Sequence, residues 1–287
     1  MSDRRIVLCA DDYALSHGVC DGILDLIGDG RLSATTAMVT GSEWASRAGD
    51  LIALRDRAAI GLHINLTHGT PVGAMAVTAP DGKLPTVQQL SRRAFAGRLD
   101  LAEIRAEIDR QCEAYERYAG PPDFVDGHQH VHVLPGLRGV ILAALKQRYP
   151  KRALLVRDPS DHMSAILKRR TATRKALKVA LLSAGYRRQV EAAGFHTNLG
   201  FSGCSMFGPG PYAAEFDRNL VDPGPRHLIM CHPGRAEPAL VPADPIASRR
   251  PQELDALSRR EGLDSLLWYP DREITGEKGA FATMVET

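Results

Sequence analysis

The sequence predicts an α/β protein with a mainly parallel sheet, either open or closed as a barrel, folded as one domain. Short apolar runs of strand length alternate with amphipathic helical stretches, the pattern that gives parallel strands linked by helices. Polar, chemistry-bearing residues collect just after those apolar runs, at the carboxyl edge where such sheets place their sites. The chain has 287 residues, 44% of them hydrophobic, enough for one large core.

The elements follow in order. Arg5 to Ala10 (RIVLCA) is a continuous apolar run of strand length. Val19, Ile23, Leu26 and Ile27 then share one helical face, with Ser16 suited to cap the start and Gly30 the end. Ala34 to Val39 is the second strand, and a helix is expected from Trp44 to Arg57. In AIGLHINLT (59–67) Ile60, Leu62, Ile64 and Leu66 alternate with Gly61, His63, Asn65 and Thr67, which puts His63 and Asn65 on one polar face. Leu101, Ile104, Ile108, Cys112 and Tyr115 keep the helical period until Gly120, Pro121 and Pro122 stop it. The strand carrying FVDGH, a helix near Arg138–Arg148, the strand RALLVRD, the strand HLIMCHP and a helix near Pro251–Glu261 complete the alternation. Thr70 to Pro85 and GFSGCSMFGPGPY (200–212), rich in Gly and Pro, read as rim loops.

Composition excludes several classes of function. A net charge of +2 gives no global electrostatic case for nucleic acid, and no segment approaches the length of a membrane span. The start MSDRRIVLCADD lacks the apolar region of a secretory signal, and the five scattered cysteines read as reduced, buried thiols, so a cytoplasmic location is expected. Residues 163–195 stand out as a basic helical insertion, and 270–287 as a C-terminal segment. Lys168, Arg169, Arg170, Arg174, Lys175, Lys178, Arg187 and Arg188 fall between Met163 and Arg188 without an acidic residue. Read as one amphipathic helix, 163–188 would suit peripheral contact with an anionic membrane; the preferred alternative is a solvated face packed on the barrel or on a second subunit of a homodimer.

Four strand ends carry the chemistry: Asp11 and Asp12 after the first, His63 in the third, His128 after FVDG and His232 after LIMC. Each has an ordinary explanation alone. Together, a carboxylate with two or three imidazoles is the ligand set of Zn²⁺ or another divalent ion with an open position. Adjacent like charges at Asp11 and Asp12 also call for a cation or a proton between them. In FVDGHQHVHVLP, continued strand geometry would put Asp126, His128, His130 and His132 on one face.

ADDYALSHGVCDGI, GLHINLTHGTP, PDFVDGHQHVHVLP and IMCHPG, in this order over residues 10–234, resemble the YdjC-like carbohydrate deacetylases. That resemblance implies an incomplete or distorted β/α barrel and metal-dependent hydrolysis of the N-acetyl group of an amino sugar, free, oligomeric or on a larger glycoconjugate. It implies Asp12, His63 and His128 as ligands of one Zn or Mg ion, Asp11 as the base and His232 as the acid. Tyr13 and Ala14 stand where the family more usually has Phe and Gly, and Gly127 and Gln129 where some members carry Ser and His. The residue types fit the chemistry: a metal activates water and polarises the carbonyl, an unligated carboxylate takes the proton, and an imidazole protonated near neutral pH gives one to the nitrogen. Asp126 is expected to orient a ligand histidine, and His130 and His132 to be structural or substrate-side. Asn65 and Arg157 are the candidate substrate contacts. A metal-dependent phosphoesterase or other amidohydrolase, and a non-catalytic sugar- or metal-binding protein, are the alternative readings.

Overall fold

The computed structural model describes residues 5–208, 210–237 and 244–269; the expected C-terminal segment 270–287 lies outside them. Within the described residues, seven strands form one all-parallel sheet: β1 (Ile6–Tyr13), β2 (Ala34–Ala37), β3 (Ala59–Ile64), β4 (Phe124–Gly127), β5 (Leu155–Val156), β6 (Gly200–Ser202) and β7 (His227–Cys231), in the order β5-β4-β3-β2-β1-β7-β6. The two edge strands share no ladder. The segment between them bridges the gap: His196 pairs with Leu155, Thr197 Oγ1 donates to the Val156 carbonyl at 2.7 Å, and Asn198 exchanges two 2.8 Å hydrogen bonds with the Asp158 backbone before the chain enters β6. The sheet thus curls into a distorted barrel, stitched shut where a full ladder is missing.

Strand alternation sorts the interior into two layers. Val7, Cys9, Ala34, Ala59, Phe124, Leu155, Phe201, Leu228 and Met230 fill the lower barrel as a continuous apolar cluster. Gly61 makes that plug feasible, because a Cβ there would lie 2.8 Å from the Phe124 ring. Two residues further along β1, β2 and β4 come Asp11, Thr36 and Asp126, with His63 two past Gly61 on β3 and Arg157 just beyond β5, all buried. The opposite strand faces, with Ile6, Leu8, Ile60, Leu62 and Ile229, join the helices in the outer core.

Among the described residues, eleven helices connect the strands: α1 (His17–Gly28), α2 (Trp44–Ile52), α3 (Val87–Phe95), α4 (Leu101–Ala119), α5 (Leu137–Arg148), α6 (Met163–Arg169), α7 (Thr173–Leu182), α8 (Tyr186–Ala192), α9 (Tyr212–Asn219), α10 (Arg250–Arg259) and α11 (Leu263–Leu266). The start of α1 is capped by Ser16, which accepts from the Val19 amide, and α4 ends at Gly120 with φ 65°. No helix among the described residues is long and apolar enough to cross a membrane.

Three expectations change. Strand β4 ends at Gly127, and His128–Val133 form a 3-10 turn in which Gln129 and His130 adopt left-handed backbone (φ 53° and 59°), so the three histidines do not share a strand face. The basic stretch 163–188 is not one amphipathic helix but α6, α7 and the start of α8, broken at the left-handed Arg170 and Ala172. Several of its cations are structural: Arg169 is buried, donating to the Phe201, Val221 and Asp222 carbonyls, and Lys175 donates to the Ser205 carbonyl at 3.0 Å. Finally, the stretch read as a rim loop at 200–212 begins with β6, whose pairing with β7 outweighs its glycines.

Candidate active site

The polar layer opens at the carboxyl mouth of the barrel. Asp11 points inward because it continues the Val7, Cys9 row. Asp12 would ordinarily face the opposite way, but it has φ 72° and sits in a register shift between Ala10 and Tyr13. This bulge turns a second carboxylate to the mouth, at a cost of about 1 kcal/mol for a left-handed non-glycine residue.

Arg157 is fully buried and organises the first carboxylate. It donates to both Asp11 oxygens (2.6 and 2.7 Å), pairs with Asp126 Oδ2 at 2.6 Å and reaches Cys9 Sγ at 3.1 Å. Burial works against the charge on Asp11, but Arg157 overrides it and holds the carboxyl well below its usual range. Its backbone carbonyl accepts from His132 Nε2 at 3.0 Å, so His132 supports Arg157.

Three further side chains converge above. Asp12 Oδ1 lies 3.0 Å from His128 Nδ1 and 3.4 Å from His63 Nε2. Donors about 2.1 Å from one small divalent ion stand roughly 3.0–3.4 Å apart in octahedral or tetrahedral geometry, so these separations fit a shared cation. On the far side of its ring, His63 Nδ1 is 2.6 Å from Asp126 Oδ1 and donates to it, which leaves the buried Nε2 without a hydrogen-bond partner among the described residues and aimed at Asp12. Burial opposes a charge on His63, yet Asp126 and Asp12 raise its pKa to about 10. A second grouping, Asp11, His63 and Asp126, is also close enough to hold an ion. Its oxygens are already taken by the guanidinium of Arg157 and by His63 Nδ1, so the first set is the better cradle.

His232 follows β7, its amide donating to Glu253 Oε2 at 2.6 Å and its ring meeting Phe207 edge-on at 5.5 Å. Burial lowers its pKa, opposed by Asp12 and Asp11, to about 4. The expected imidazolium is thus a neutral imidazole at rest. Lys175 lies 4.6 Å over the Phe207 ring, so α7 walls this side of the mouth.

The structure gives two residues other work than the expected substrate contact. Arg157 is sealed inside the network. Asn65 is buried with its amide spent on the loop after β3: Oδ1 accepts from the Thr67 and His68 amides, and Nδ2 donates to Thr40 Oγ1 and the His68 carbonyl. His130 is partly buried, packed edge-on against Phe201 and His132, and its Nδ1 has no hydrogen-bond partner among the described residues.

The sequence profile of the YdjC-like proteins matches residues 5–266. The chain belongs to the YdjC-like family. Chitooligosaccharide deacetylases of Yersinia pestis (strain Pestoides F) and Yersinia pseudotuberculosis are each 35% identical over 148 residues, 51% of this chain and 57% of theirs. The matched part thus spans little more than half the length of these relatives. A crystal structure from Enterococcus faecalis V583, provisionally called a cellobiose-phosphate cleavage protein, superposes with a TM-score of 0.69 at 21% identity, covering 93% of this chain and 98% of that one. It shares the fold of this family member.

Sequence reasoning missed the contribution of α10. Arg250 Nη2 donates to Asp12 Oδ2 at 2.7 Å, Arg250 Nε to Asp244 Oδ2 at 2.6 Å, and Glu253 holds the His232 amide. SRRPQEL signals a helix start through its proline, but no local pattern tells that this helix docks on the mouth.

Proposed function

We propose that this YdjC-like protein is a metal-dependent hydrolase that removes the N-acetyl group from an N-acetylated amino sugar and releases acetate. One observation carries the reading: the buried Asp12 and His63 and the partly buried His128 converge on one point while Asp11 stands beside them, charged and outside the ligand set. The names of the Yersinia relatives support an amino-sugar substrate. When bound, a Zn or Mg ion at Asp12, His63 and His128 would activate water and polarise the acetyl carbonyl.

The chain's own groups divide the remaining work. Arg157 keeps Asp11 ionised and fixed, and Asp11 Oδ2, with one contact from Arg157, retains a lone pair for the water proton. Asp126 fixes the tautomer and ring orientation of His63. His232, neutral at rest and partly open to solvent, takes a proton from solvent as negative charge grows at the carbonyl oxygen and passes it to the departing nitrogen, and Asp11 gives the water's proton back to solvent. Five free, buried cysteines suit a reducing compartment.

An acetate-release screen over N-acetylated mono- and oligosaccharides, with Zn²⁺ or Mg²⁺ and with chelator, tests the proposal. Metal-restored release that Asp11→Asn abolishes without loss of bound metal is the expected result. Phosphatase activity with no acetate from any sugar would replace it with the phosphoesterase reading.

A further inference from the structure

We infer that Arg250 is a specificity-determining positioning residue, which commits Asp12 to ligation through one oxygen and so favours small divalent cations over larger ones. The inference rests on the metal-site reading of Asp12, His63 and His128.

The two oxygens of Asp12 face different partners. Oδ1 points at His63 and His128, whereas Oδ2 accepts from Arg250 Nη2 at 2.7 Å. Arg250 has little freedom to release it. Its side chain is 4% exposed, Nε donates to Asp244 Oδ2 at 2.6 Å, and Nη1 reaches the His232 carbonyl at 3.4 Å. Gly234 also packs closely against it: a Cβ there would lie 3.3 Å from Arg250 Cβ and Cδ, and the Gly234 amide donates to the Arg250 carbonyl at 3.3 Å.

Two physical consequences have the same sign. Calcium collects roughly 6–8 oxygens and often takes both from a carboxylate, whereas smaller ions are content with fewer, shorter contacts. Occupying Oδ2 withholds the bidentate mode. Charge balance adds to this: among the ion-paired groups, the four carboxylates Asp11, Asp12, Asp126 and Asp244 face the two guanidiniums Arg157 and Arg250. That leaves two negative charges among these groups, matched by one divalent cation. Without Arg250 the site carries one more negative charge and a free carboxylate oxygen, so cations bind more tightly and with less regard to size. A merely structural role for Arg250 predicts weaker binding of every metal instead.

The test is calorimetric titration of metal-stripped, full-length wild type, Arg250→Gln, Arg250→Lys and Asp244→Asn with Mn²⁺ and Ca²⁺, with circular dichroism to confirm folding. Wild type should prefer Mn²⁺. Arg250→Gln should tighten Ca²⁺ binding by about tenfold or more and narrow the Mn²⁺/Ca²⁺ ratio correspondingly, while Arg250→Lys, which can still hold Oδ2, stays close to wild type. If Arg250→Gln does not fold, Asp244→Asn, which loosens Arg250 without removing it, should narrow the ratio by a smaller factor. An unchanged ratio in these variants, or equal loss of both metals, would overturn the role of Arg250. A wild type that binds neither ion would instead remove the metal site itself.

Discussion

The lower half of the barrel interior and its mouth are built from the same strands by opposite means. Below, Phe124, Leu155, Phe201 and Leu228 gain stability simply by leaving water, at about 25 cal/mol per Å². Two positions further on, Asp11, Asp126 and Arg157 are as deeply buried, where each charge carries a desolvation penalty of several kcal/mol unless it is met. The mouth is tolerable only because its members satisfy one another, and it gains nothing in stability that an apolar layer would not give. The contrast locates stability in the plug and buried, mutually paired charge in the rim.

The largest effect should come from breaking the mutual pairing. Arg157→Met leaves Asp11 buried without its guanidinium and Asp126 with His63 alone, and should cost about 3–5 kcal/mol of stability at pH 7. The deficit should shrink as pH falls, because carboxyls stranded without a cation have raised pKa values, and protonation then favours the folded state. Urea unfolding at pH 7 and pH 5 checks both parts. A pH-independent loss of stability would mean that packing, not charge, dominates at the mouth.

The plug offers the complementary case. Leu228→Ala should destabilise by about 2–4 kcal/mol through lost burial and a cavity, with no dependence on pH. Metal affinity measured by titration should stay within about threefold of wild type, because His232, the mouth residue that follows β7, is four positions beyond. A large fall in affinity would show that the two layers are coupled and blur the division.

Much of this division is legible in the sequence, since it follows from period-2 alternation. Val7, Cys9, Asp11 and Ala59, Gly61, His63 can be read straight off their strands, as can the continuous apolar runs of a parallel sheet. Asp12 is different. Alternation turns it away from the mouth, and only the bulge and left-handed backbone, which no residue in ADDYAL demands, bring it back. The strand ends are similarly silent: nothing in DGHQHVHV announces that the ladder stops at Gly127 because left-handed Gln129 and His130 follow. Arg250 and Asp244 lie more than 230 residues from Asp12, and their role exists only through docking of α10, a tertiary fact with no local signature.

Glu253 on that same helix gives the smallest prediction and inverts the rule at the mouth. Burial raises its carboxyl, against His232's amide and Arg250, to about 7, compared with an ordinary value of 4.5. A raised acid is stabilising while it stays protonated: its contribution is complete below pH 4.5, declines as the unfolded chain ionises, and is gone once pH passes the folded-state value near 7. Glu253→Gln keeps an oxygen that can accept from the His232 amide but has no charge to bury. The variant should therefore match wild type near pH 4.5 and exceed it at pH 8 by about 1–3 kcal/mol, because a tenfold change in proton affinity between the folded and unfolded chain is worth about 1.4 kcal/mol at most. Chemical denaturation at the two pH values measures this. Equal stability differences at both would show that Glu253 is ionised throughout, with Arg250 and Arg249 outweighing its burial. Glu253 would then belong with Asp11, a charge kept by its partners, and not with the apolar plug.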